Sequence, residues 1–217
     1  MVTRLARLGP LTGVVSGALI LAAFATSQKP PDANAPGTQV VAFYQAHSTG
    51  QQTSDSLWTL AFAIFVFFAG SLRGHLRRTP AAEPISTVAL AGAAVLAAGG
   101  ATYFGFDLAL ANAPGDLAPA AGQALNVLAL DLFLPLSAGG FVFGIASGVA
   151  ILRSGQLPKW LGWLAIVIGL AMPAAILALP LLAIWAIVTS LILFKRSSTY
   201  LHAPTAGPSS TAGATNC

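Results

Sequence analysis

From Trp160 to Phe194 the chain runs 35 residues without one charged side chain. As a single helix rising about 1.5 Å per residue, that stretch would reach about 52 Å. The hydrocarbon core of a bilayer is only about 30 Å thick. A run this apolar has no face to turn toward water, so its solvent is lipid. Composition extends the conclusion to the whole chain: 56% of residues are hydrophobic and 7% charged, with mean hydropathy +0.78. A water-facing surface needs roughly a quarter charged residues. A soluble enzyme, a nucleic-acid module and a disordered chain are excluded together.

Pro173 and Pro180 punctuate the long run, which divides into a hairpin of helices over residues 160–177 and 180–194. Four more apolar blocks, at 8–27, 57–76, 85–106 and 123–152, are each of spanning length, about 20 residues. The expected fold is all-α: an integral membrane bundle of six transmembrane helices within residues 1–196, with a short outer amphipathic helix. Six spans put Arg4, Arg7, Arg73, Arg77, Arg78, Arg153, Lys159, Lys195 and Arg196 on one side, leaving only Lys29 on the other. That asymmetry predicts cytoplasmic N- and C-termini. It also accounts for the net charge of +4 without a nucleic-acid partner. Trp160 and Trp163 suit the inner interface, Trp58 and Tyr103 the outer.

Arg4 and Arg7, an apolar stretch, and Ala23-Phe24-Ala25 before Thr26 also fit a cleaved signal peptide. The apolar stretch exceeds the usual 7–15 residues of a signal core, which favours a retained helix. The outer loop, 28–56, opens with the linker Lys29-Pro30-Pro31 and Ala35-Pro36-Gly37. Beyond a Thr38 cap, Val40, Phe43, Tyr44 and His47 share one helical face. This short helix either lies in the headgroup layer or covers the outer mouth of the bundle. The tail, 197–217, is rich in Ser, Thr, Ala, Gly and Pro and is expected to be disordered.

Lipid gives helices no hydrophobic drive to associate, so small residues that let backbones approach become the packing device. Gly140, Gly144 and Gly148 form overlapping G-x-x-x-G repeats. Steps of 100° put Gly140 and Gly144 on one stripe with Asn126, Ala129, Phe133, Ser137 and Ser147. Gly13 and Gly17 offer a partner ridge, as do Gly92, Gly99 and Gly100. Such ridges suit packing within the chain, a membrane-protein partner or a homo-oligomer. Asp131 is the one candidate for an intramembrane carboxylate. Counting back from Leu152 leaves it at the outer edge of the hydrocarbon, opposite the glycine stripe unless Pro135 alters the winding. It reads as an interfacial carboxylate or as a polar site at the outer mouth, with Asn126, Asp107 or His47 nearby.

Inventory argues against catalysis. His47, His75 and His202 fall outside the expected spans, so bis-histidine haem ligation has no ligands. The carboxylate dyad of an intramembrane protease needs two facing aspartates. The string Gly144-Ile145-Ala146-Ser147-Gly148 has no histidine or lysine base beside it. Cys217 is the single cysteine, which excludes an internal disulfide framework. No catalytic residue, cofactor or metal is expected. The lipid bilayer is the expected partner.

The string Gly148-Val149-Ala150-Ile151-Leu152-Arg153-Ser154-Gly155-Gln156-Leu157-Pro158-Lys159-Trp160-Leu161-Gly162-Trp163 resembles a recurrent feature of uncharacterised actinobacterial multi-pass membrane proteins. So do Val41-Ala42-Phe43-Tyr44-Gln45-Ala46-His47, Leu72-Arg73-Gly74-His75-Leu76 and Ala124-Leu125-Asn126. The features follow one another across nearly the whole chain apart from the tail. The resemblance implies a six-span plasma-membrane protein and supplies no catalytic residues. The role expected is a non-enzymatic membrane protein, such as an accessory subunit, or alternatively a small transporter or channel.

Overall fold

The computed structural model describes residues 9–113, 115–174 and 177–199. These form seven helical segments: α1 Leu11–Thr26, α2 Gly37–Leu76, α3 Glu83–Asn112, α4 Pro119–Asp131, α5 Phe133–Ser154, α6 Lys159–Ala171 and α7 Ala178–Thr199. Only Leu132 separates α4 from α5, and its backbone stays helical. The two continue as one bent rod because Pro135 lacks the N–H that would bond the Asp131 carbonyl. Counting that rod as one, α2, α3, the α4–α5 rod and α7 are long and apolar enough to cross a membrane. Helices α1 and α6, at 16 and 13 residues, are shorter. This is an all-α protein with the helices of a multi-pass membrane protein.

Three boundaries differ from the sequence-based expectation. The outer amphipathic helix and the second span are one helix, α2, whose 40 residues measure about 60 Å. It is therefore neither a flat surface helix nor a separate lid. The polar stretch between its halves does not break it. Thr53, Ser56 and Thr59 each return a hydroxyl hydrogen bond to the carbonyl four residues back, a bond that leaves the helix intact. Helix α3 likewise overshoots Phe106 to reach Asn112, carrying Asp107 into the helix. The last hairpin is reapportioned: α6 ends at Ala171, before Pro173, and α7 begins at Ala178 and runs through Lys195 and Arg196 to Thr199. The expected tail thus starts inside a helix; beyond Thr199 it lies outside the described residues, as do Arg4 and Arg7.

Neighbouring contacts run α1–α2, α2–α3, α3–α5, α5–α6, α6–α7 and α7–α1. The bundle is a closed ring, and aromatic side chains fill its centre. Phe65 packs on Phe143 at 5.0 Å between centroids, and Trp185 lies 6.1 Å from Phe68 and 5.9 Å from Phe143. All four rings are buried. Trp185 donates its indole N–H to the Leu161 carbonyl at 2.9 Å, so its one polar atom is satisfied inside the bundle. Outward-facing Phe67, Leu134, Val167 and Leu170 are exposed, as expected of surfaces that contact lipid.

Glycines set the spacing of the ring. On α3, Gly92 and Gly99 sit under the backbone of Phe143 and Leu136, while Gly139 of α5 sits under Leu96. The Gly140, Gly144 and Gly148 face of α5 meets Gly162 and Gly169 of α6 and Met172 just beyond its end. Gly13 and Gly17 pack on Phe68 and on the Ala183–Ile187 stretch of α7, not against α5. That partner assignment corrects the expected pairing of the two glycine ridges.

A second, smaller core joins the overshooting ends of α2 and α3 to α4. It contains Ala35, Val40, Tyr44, Leu110 and Ala111, with Phe43, Leu117 and Leu125 packed against it. Of the amphipathic face Val40, Phe43, Tyr44 and His47, the first and third are buried here, Phe43 is partly buried and His47 is exposed. At the opposite end, Gln156 bonds Thr79, and the Arg196 guanidinium donates to the Gln156 carbonyl. The turns bearing Arg77, Arg78, Arg153 and Lys159 therefore gather with the end of α7.

Candidate functional site

The polar side chains of α2 lie in its buried register. Tyr44, Gln51, Trp58, Phe65 and Leu72 recur every seven residues and are all buried. Seven residues are close to two helical turns, so one stripe starts in the small core and ends in the aromatic centre. Asp55, one turn after Gln51, shares this face and is 2% exposed. Asp107 of α3 comes against the same stripe and is 4% exposed.

These groups surround a cavity of about 310 Å³ at the Gln28 end of the ring. Gln51, Asp55, Trp58, Tyr103, Phe104 and Asp107 line it, and residues 24, 27–30 form its rim. The rim is tied down locally. Ser27 and Ser54 share a hydroxyl contact of 2.6 Å, and Trp58 donates its indole N–H to Ser27 Oγ at 3.1 Å. The Gln28 amide donates to Gln51 Oε1 at 3.1 Å. Trp58 and Phe104 stack at 4.8 Å and 4°, with Phe62 beside both. Trp58, Phe62 and Phe65 follow one another at single-turn steps on α2, so this stack adjoins the Phe65–Phe143–Trp185 centre.

The two carboxyls differ in their partners. Tyr44 donates its hydroxyl to Asp107 Oδ1 at 2.5 Å, a length typical of a charge-assisted O–H···O bond. Asp55 Oδ2 is buried with no hydrogen-bond partner among the described residues. A buried polar atom left unpaired is costly, so this is the feature a ligand would relieve. The cation at the rim, Lys29, pairs with Asp32 at 3.5 Å, and both side chains are largely in solvent. Substituting Tyr44→Phe removes the donor from Asp107 and should destabilise the fold by about 1–3 kcal/mol. Thermal unfolding in mild detergent measures this, and an unchanged midpoint would mean that the bond contributes nothing.

Of the polar residues singled out in the sequence, Asp107 lines the cavity and the others sit elsewhere. Asp131 is exposed at the end of α4. Asn126 is buried and donates to the Pro31 and Asp32 carbonyls at 3.3 and 3.4 Å, holding the 28–36 linker against α4. The two do not share an environment, and neither lines the cavity. His47 is exposed, its Nδ1 against the Phe43 carbonyl at 2.9 Å. Sequence reasoning missed Asp55, which it assigned to an outer loop. Continuing the Tyr44 register in seven-residue steps would have found Gln51 and Trp58, and with them the face that carries Asp55.

No known protein family, curated protein or solved structure matches the chain.

Proposed function

We propose that this chain is a six-span, non-enzymatic plasma-membrane protein that binds a small ligand in the Asp55–Asp107 cavity and does not conduct it. The observation that carries the reading is a largely apolar cavity that holds two buried carboxyls, Asp55 and Asp107, against Trp58 and Phe104, next to a ring centre filled by aromatic side chains. A conduit lines its route with polar or ionisable groups across the membrane. Here the buried carboxyls stay at one end. The Lys/Arg asymmetry makes that end extracytoplasmic and the Arg77–Arg196 end cytoplasmic. Helices α1 and α6 complete the six spans with the help of flanking turns. Resemblance to uncharacterised actinobacterial membrane proteins rests on the strings quoted above and agrees with this placement. The lipid-facing apolar residues leave room for a membrane-protein partner or a second copy, consistent with an accessory role.

A transporter reading draws on the same two buried carboxyls, since intramembrane acids mark ion or proton pathways by default. Flux through proteoliposomes separates the two. Vesicles holding the purified protein should pass protons, potassium and small amines no faster than protein-free vesicles. A saturable, protein-dependent flux would establish the transporter reading instead.

A further inference from the structure

Resting on the ligand-binding reading, we infer that the cavity takes a small organic ammonium ion, held between the Asp55 carboxyl and the Trp58–Phe104–Tyr103 wall. Three observations converge on that chemistry. Asp55 lines the cavity and its Oδ2 is buried and unpartnered, so an occupant that brings an N–H donor would satisfy it. A second carboxyl, Asp107, lines the same space, and Lys29, the cation in its lining among the described residues, is engaged with Asp32 at the solvent rim. When ionised, these carboxyls favour a cation over a neutral or anionic guest. The rest of the wall is mostly aromatic, and the faces of Trp, Tyr and Phe attract cations, including alkylated ammonium groups.

Size and donor type narrow the class further. A volume of about 310 Å³ holds roughly ten water-sized groups, at about 30 Å³ each. That suits an amine with a short carbon body. Divalent ions such as calcium and magnesium require six or more oxygen ligands. Among the described residues no group of three or more His, Cys, Asp or Glu side chains could hold a metal. An aromatic wall offers such an ion nothing in place of its water, whereas it covers the methylene groups of an amine well. Asp55 receives the N–H donors, Asp107 is held in place by Tyr44, and the stacked rings cover the carbon body.

The test uses the full chain in mild detergent or nanodiscs, titrated calorimetrically with alkylammonium ions from methyl to hexyl. The alcohols of matching length serve as uncharged counterparts. At least one ammonium should bind saturably and raise the unfolding temperature, with its alcohol at least tenfold weaker. Asp55→Asn should weaken that ammonium about 10- to 100-fold, the scale of a charge-assisted bond, and leave the alcohols unchanged. If an alcohol binds as tightly as its ammonium, or Asp55→Asn binds like the wild type, the cation assignment is overturned while ligand binding stands. Displacement of the ammonium by equimolar sodium or magnesium would also overturn it, in favour of an inorganic cation. If no member of either series binds, both the inference and the ligand-binding reading fall. Should Asp55→Asn not fold, the ammonium–alcohol comparison on the wild type decides alone.

Discussion

Gly139→Val is expected to abolish the folded bundle or to destabilise it by about 3 kcal/mol or more, beyond the usual cost of overpacking. A Cβ at this position would lie 2.6 Å from Leu96 Cα and 2.7 Å from the Val95 carbonyl carbon. Both are backbone atoms, so no rotamer change relieves the clash, and α3 and α5 must separate. Separation has wide consequences in a ring, because Gly92 and Gly99 bring the same two helices together from the other side. The contrast is internal to the sequence. Gly70 and Gly105 also lie in helices, yet a Cβ at either meets nothing within 4 Å. Gly70→Ala and Gly105→Ala should therefore be neutral or gain up to about 1 kcal/mol from helix propensity. Gly140→Ala falls between, since it meets the flexible Met172 side chain. Thermal unfolding of the set in one detergent reads the order directly. If Gly139→Val unfolds at the same temperature as Gly70→Ala, the close approach of α3 and α5 is refuted.

Trp185→Ala is the second large effect. It removes a buried ring wedged between Phe68 and Phe143 and leaves the Leu161 carbonyl without its indole donor. Truncating a buried Trp typically costs about 3–5 kcal/mol, partly through the cavity left behind. In lipid the loss is chiefly of packing contacts, since hydrophobic transfer drives helix association little there. The same substitution tests the aromatic centre of the ring as a barrier. Proteoliposomes carrying Trp185→Ala should leak small ions faster than those carrying the wild-type chain if this ring closes the bundle. An unchanged unfolding temperature together with unchanged leakage would show that Trp185 fills no structural gap. Trp185→Phe should recover most of the stability and lose only the bond to Leu161.

Asp55 and Asp131 show how much of the site was legible in the chain. Both look like acids beside an apolar block. Hydropathy ranks Asp131 as the better candidate because it precedes a span with no polar neighbour but Asn126. In the fold the ranking reverses. Asp131 falls where the α4–α5 rod bends and is exposed, whereas Asp55 is buried by α3, which meets it from 52 residues away in sequence. The misreading came from treating residues 28–56 as a loop. Polar composition suggested water, but an unbroken helix with its serines and threonines bonded to their own backbone extends the bundle beyond the apolar stretch. Once α2 and α3 overshoot together, their polar residues face each other rather than solvent.

What the sequence alone determined is the solvent and the elements. Lipid leaves every backbone group to be bonded within its own helix, so a local apolar run suffices to specify an all-α membrane protein. Proline and basic residues mark its turns. Only the tertiary structure decided which glycine meets which helix, what fills the ring, and which carboxyls are buried. Each of those depends on side chains far apart in the chain, because burial is a property of the neighbours and not of the residue. Asp55 becomes a candidate ligand group only when Trp58, Phe104 and Asp107 have closed around it.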